Sequence, residues 1–125
     1  MASAGALAFA VISVGLMHDW LAWNSARWEL GRRAVARGVH PWDIEGGFEW
    51  DGWHAPLREA DRKSAPIVGF RLPMTAGYFH HVSGRLALSF SLLKGTRARD
   101  SETYWQWLPP ARRRFFLLEL DGAPP

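Results

Sequence analysis

The densest grouping of residues able to do chemistry is acidic. Asp43, Glu45, Glu49 and Asp51 crowd one short stretch, with Trp42, Trp50 and Trp53 around them. Ile44, Gly46, Phe48 and Trp50 alternate with Glu45, Gly47, Glu49 and Asp51, a period of two that predicts a half-buried strand. On such a strand Glu45, Glu49 and Asp51 share a face, with Cβ atoms about 7 Å apart at each two-residue step. Carboxyl pairs at roughly 5–10 Å can serve glycoside chemistry as acid and base or nucleophile, and aromatic rings beside them suit a sugar. The bland alternative carries more weight. The shared face is the polar face, where carboxylates are simply solvated, and Trp rings also pack sheets against helices. Glu45, Glu49, Trp50, Asp51 and Trp53 therefore form a candidate binding set, and no residue receives a catalytic role.

Other chemistries find less. There is no Cys, so thiolate metal sites and disulfides are excluded. His80 and His81 fall on opposite faces of an extended segment, and His18, His40 and His54 lack metal-ligand spacing such as H-E-x-x-H. No G-x-S-x-G, P-loop or G-x-G-x-x-G occurs, so no metal and no cofactor is expected. The net charge is +3, carried almost wholly by Arg. A diffuse basic surface suits anionic lipid headgroups or phosphorylated ligands, or is plain solvation, and no nucleic-acid partner is expected. The one tight run, Arg112-Arg113-Arg114, is expected in a hairpin turn within reach of lipid phosphate.

These residues must be held by an N-terminal element of another kind. Met1 to Met17 contains no charged side chain and, as a helix, spans roughly 25 Å. A signal peptide is one reading, but no Lys or Arg precedes Arg27 to form a positive n-region. A buried core helix is a second. The third, favoured here, is a transmembrane helix completed by His18 to Trp23, with Trp20 and Trp23 at headgroup level. Its many small residues suit close packing among other helices. The chain then divides into an apolar helix over 1–23 and a soluble part over 24–125.

Asp19 to Arg37 continues as an amphipathic helix, with a kink expected near His18 and apolar stripes at Trp20, Trp23, Leu30, Ala34 and at Leu21, Trp28, Val35. Arg27, Arg32, Arg33 and Arg37 occupy the other face, and Gly38 and Pro41 mark its end. Beyond the acidic stretch, Pro56 to Ser64 reads as a loop and Pro66 to Leu72 as a short strand. Leu86 to Leu92 alternates cleanly and predicts a strand, Thr103 to Leu108 another, Pro109-Pro110-Ala111 a turn, and Phe115 to Leu120 the last strand. The fold class is α+β: an N-terminal transmembrane and juxtamembrane helix followed by a small antiparallel or mixed sheet. Ordinary charged content and eight Trp exclude a disordered chain.

Three stretches in this order carry a resemblance: Asp19-Trp20-Leu21-Ala22-Trp23-Asn24-Ser25-Ala26-Arg27-Trp28; Gly38-Val39-His40-Pro41 followed by Ile44-Glu45-Gly46-Gly47-Phe48-Glu49-Trp50-Asp51-Gly52-Trp53; and Tyr104 to Leu120 with Trp107-Leu108-Pro109-Pro110 inside it. Together they resemble the carboxyl-terminal end of bacterial family 39 glycosyltransferases, relatives of the protein O-mannosyltransferases and aminoarabinose transferases. The resemblance implies a part of a multi-helix inner-membrane enzyme of the GT-C architecture that uses a lipid-linked sugar donor and faces the periplasm. The family's catalytic acids lie on an external loop near its first membrane helix, which has no counterpart here, so none is carried over. The implied role is a non-catalytic portion, a fragment or stand-alone remnant, that caps the external face of a catalytic bundle. The implied partners are the membrane, the remaining bundle, and a lipid-linked sugar or glycan. Four Arg follow the apolar segment and none precede it, which by the positive-inside rule favours the cytoplasmic side instead. Two other functions compete: a stand-alone membrane-anchored module binding saccharide or anionic lipid, and a small enzyme using the acidic strand.

Overall fold

The computed structural model describes residues 2–54 and 85–120. The loop and strand expected over 56–72, His80 and His81 lie outside the described residues. The chain is α+β, one long helix followed by a mixed four-stranded sheet.

Helix α1 runs unbroken from Ala2 to Ala36, 35 residues, so the apolar segment and the amphipathic segment are one element. It is long and apolar enough to cross a membrane. Its end is built as the glycine predicted. Gly38 takes φ +91°, its N–H bonds the Val35 carbonyl at 2.9 Å, and the Val39 N–H bonds the Ala34 carbonyl at 3.1 Å. These are the paired bonds of a Schellman motif, which satisfy the last helical carbonyls.

A short 3-10 turn over Pro41–Asp43 leads into β1, Ile44–Glu45. Here the structure departs from the strand expected over 44–51. Gly47 adopts φ +84°, a conformation closed to most side chains, and the chain coils into α2, Phe48–Trp53. Strands β2 (Leu86–Ser89), β3 (Thr96–Trp107) and β4 (Pro110–Leu120) complete the sheet in the order β1-β2-β4-β3. β1 pairs with β2 in parallel; the other pairings are antiparallel. β2 is shorter than its alternation suggested, because Ser89 folds back locally. The Ser91 N–H donates to Ser89 Oγ at 3.2 Å, and that hydroxyl donates to the Ser91 carbonyl at 2.9 Å.

The core lies between the second half of α1 and one face of the sheet. Ala26, Leu30 and Ala34, at four-residue spacing on α1, are buried with Ile44, Trp50, Leu86, Leu88, Phe115 and Leu117. Trp23 completes this stripe, stacked on Phe115 at 6.3 Å and edge-on to Phe90 at 5.1 Å. Trp20, Leu21 and Val35, expected on apolar stripes, are exposed. Arg27, expected on the polar face, is 6% exposed and turned inward. In the first half of α1, Leu7, Phe9, Val11, Ile12, Val14, Leu16 and Met17 are exposed on every side of the helix.

Candidate functional site

The acidic, Trp-rich stretch becomes a joint between α1 and the sheet, and its local order follows from two glycines. At Gly46 a Cβ would collide with the Trp50 side chain, and at Gly31 of α1 a Cβ would collide with the far edge of the same indole. Trp50 is therefore seated between two positions that only glycine leaves open. Its ring lies 5.0 Å from Trp28 and 4.1 Å from His54, and its Nε1–H reaches the Pro41 carbonyl at 3.4 Å. Trp42 closes the same turn by donating Nε1–H to the His54 carbonyl at 2.7 Å.

The five candidate binding residues divide sharply. Glu45, Trp50 and Asp51 are at most 2% exposed. This overturns the picture of solvated carboxylates on one polar strand face: Glu45 ends β1, whereas Glu49 and Asp51 sit on α2 and point apart. Asp51 accepts the Gly46 N–H at 3.0 Å, bracing the β1–α2 bend. Burial pushes the Asp51 carboxyl up to about 7, with the nearby Glu45 charge acting in the same direction and the Gly46 bond and Arg27 opposing. Asp51 therefore titrates around neutrality while only 1% exposed. Glu49 is half-exposed and ion-paired with Arg27. Arg27 also donates to the Gly46 carbonyl at 3.2 Å and to Asn24 Oδ1 at 2.6 Å, with its guanidinium 5.1 Å from the Trp23 ring centroid. Trp53 is 79% exposed. Within the set, only Glu49 and Trp53 can meet a solute.

The expected interface set divides too. Trp20 is exposed, while Trp23 faces the core. Arg112, Arg113 and Arg114 are not in a turn. They lie in β4, opposite Trp105, Tyr104 and Thr103 of β3, and their side chains are exposed. The turn itself falls at Leu108-Pro109, joined by a cis peptide bond.

Two groupings carry little signal in the sequence. At the end of α1, Arg33 pairs with Glu102 at 2.8 Å and Asp100 at 3.5 Å, and Arg37 pairs with Asp100 at 2.8 Å. Beside them a cavity of about 430 Å³ is lined by Arg37, Asp43, Arg85, Arg99 and Glu119 among others. Two of its charged residues pair: Arg99 binds Glu119, which Arg97 also binds, and the Arg99 guanidinium above all holds that carboxyl down to about 2. At the other end, Asp19 on α1 accepts the backbone N–H groups of Trp107 at 2.6 Å and Leu108 at 2.8 Å. The lone acid in an otherwise apolar stretch was the available hint, but its partners lie far along the chain.

Comparison of the chain with protein-family models, with curated proteins and with solved structures gives no match.

Proposed function

We propose that the chain is the closing, non-catalytic portion of a bacterial membrane glycosyltransferase that draws on a lipid-linked sugar donor. Residues 1–23 serve as the last membrane helix, and the domain over 24–125 caps the external face of the catalytic bundle. The observation that carries this reading is the division of α1. Its first half is apolar and exposed from Leu7 to Met17 save where Leu108 covers Gly15, while one face of its second half is buried beneath the sheet. A helix apolar all round calls for lipid or other helices as neighbours, and Gly5, Ala6, Ala8, Ala10, Ser13 and Gly15 suit close helix approach. The segment that carries the family resemblance, Gly46 to Trp53, forms the joint between that helix and the domain, a role that fits a shared architecture.

A photoreactive side chain in place of Phe9, introduced in native membranes, tests the reading. Cross-linking to a polytopic protein that carries the family's catalytic acids is expected; adducts with lipid alone would sink the capping role. The proposed side is periplasmic. Arg27, Arg32, Arg33 and Arg37 each have a carboxylate partner in the folded domain, which reduces their attraction to cytoplasmic headgroups. A membrane-impermeant thiol reagent should label Arg97→Cys in intact spheroplasts; labelling only after lysis reverses the side.

A second reading, a stand-alone membrane-anchored module for saccharide or anionic lipid, is favoured by the exposed ring of Trp53 beside half-exposed Glu49. Glycan binding that disappears in Trp53→Ala would support it, and absence of binding by the full chain would remove it.

A further inference from the structure

We propose that the tip of the β3–β4 hairpin is a second membrane-contacting element, set into the phospholipid interface beside α1. The inference rests on the reading of α1 as a membrane helix and adds to it a part of the sheet domain. Three contacts fix the height of the tip along the helix. Leu108 sits over Gly15, where a Cβ would collide with it. The Trp107 ring stacks on His18 at 3.8 Å and 8° between planes. Asp19 receives the two N–H bonds from Trp107 and Leu108. The tip is thus level with Gly15 to Asp19, where the neighbouring Leu16 and Met17 are themselves exposed apolar residues. A bilayer that takes up Leu16 meets Leu108 at the same depth.

The tip's backbone suits that position. Water is scarce at the acyl boundary, so polar backbone groups there need partners within the protein. The N–H groups of Trp107 and Leu108 go to Asp19, Pro109 and Pro110 have none, and the Leu108 carbonyl accepts from Gln106 Nε2 at 2.7 Å. The side chains are graded in the same sense. Leu108 and Trp107 lead, 39% and 45% exposed, and Trp105 follows at 52%. Arg112 stands opposite Trp105, and Arg114 opposite Thr103. At about 3.3 Å per residue, the backbone positions of these two arginines lie roughly 7 and 13 Å back from Pro110. Apolar side chain, then indole, then guanidinium is the order in which acyl chain, interface and phosphate are met on leaving a bilayer. Below the tip an open space of about 320 Å³, lined by Ala10, Val11, Val14 and Leu108, is suited to an acyl chain.

The chain has no Cys, so single cysteines can carry a nitroxide in the full-length protein in phosphatidylcholine–phosphatidylglycerol vesicles. Collision with oxygen and with a water-soluble nickel chelate reports the depth of each label. Labels at Val11→Cys and Leu16→Cys should lie in the membrane, and Arg97→Cys in water. Leu108→Cys should match Leu16→Cys within about one helical turn, roughly 5 Å. Trp105→Cys, which leaves the Leu108 contact intact, should report headgroup depth and guards against undocking of the tip by the first substitution. Aqueous labels at both 108 and 105 with a deep label at 11 would overturn the hairpin inference and leave the membrane helix standing. An aqueous label at 11 would overturn the membrane reading itself and the hairpin inference with it.

Discussion

The indole of Trp50 lies so close to Gly31 of α1 that a methyl group at position 31 would take the ring's place. In an exposed helix Gly→Ala stabilises by about 1 kcal/mol. Here the sign reverses, because an overpacked core loses about 1–3 kcal/mol. Gly31→Ala is expected to lower the melting temperature of the domain by several degrees in detergent or nanodiscs. Gly5→Ala, with nothing within 4 Å of its Cβ, should not lower it.

Arg27 and Glu49 form an ion pair whose partners differ in burial, 7% against 48% side-chain exposure. Arg27→Ala strands the Gly46 carbonyl and removes the contact with Trp23, and should destabilise by about 2–4 kcal/mol. Glu49→Gln keeps Arg27 bonded to Asn24 and Gly46 and should remain below about 1 kcal/mol. Denaturant unfolding of both variants checks the asymmetry; equal losses would mean that the pair, not the buried arginine, holds the joint.

Asp51 and Glu119 set opposite pH limits. Asp51 titrates near 7 in the fold against 3.8 unfolded, so the folded state binds the extra proton, and stability falls as pH rises from 3.8 to about 7. Glu119 titrates near 2 against 4.5, so its contribution is present above 4.5 and is lost as pH falls from 4.5 towards 2. Asp51→Asn retains an acceptor for the Gly46 N–H and should flatten the upper limb, with a gain on the order of 2 kcal/mol at neutral pH. Glu119→Gln should flatten the lower limb. Melting temperatures measured across pH 3–8 separate the two; a wild-type profile without slope between pH 4 and 7 would refute the Asp51 assignment.

Asp19→Ala removes the acceptor of both hairpin-tip N–H groups. Hydrogen exchange at Trp107 and Leu108 should quicken on the order of tenfold or more, while the core amides of Leu117 and Leu118 keep their protection. Acceleration spread evenly over β3 and β4 would instead mean that Asp19 supports the whole sheet.

Much of the fold was legible where one periodicity ran long enough. α1, its Gly38 end, the strand beginning at Leu86 and the closing hairpin all follow from local pattern and turn chemistry. The stretch from Ile44 to Asp51 misled because alternation over so few residues, interrupted by two glycines, describes a strand and a bend equally well. The adjacent burial of Trp50 and Asp51 cannot occur on a half-buried strand; Gly47 at positive φ turns both inward. Arg112 to Arg114 resembled a turn because polar runs usually mark one, yet they alternate between the two faces of β4 and are all exposed, where the strand runs past the buried Phe115. The candidate binding set was found as a sequence cluster but not as a surface, since burial depends on α1, whose Arg27 and Gly31 meet it from far along the chain. Asp19 and its hairpin partners are farther apart still, and no local pattern connects them.

Because α1 passes from its exposed apolar half into the core without a break, the domain is mounted on a rigid lever rather than tethered. The roughly 20 residues between the exposed apolar stretch and Ala36 span about 30 Å. A change of 10° in helix tilt, well within the range bilayers impose, would sweep the far end of the domain through about 5 Å. Under the proposed membrane reading, bilayer thickness would thereby be converted into position of the sheet, because α1 runs unbroken from Ala2 to Ala36.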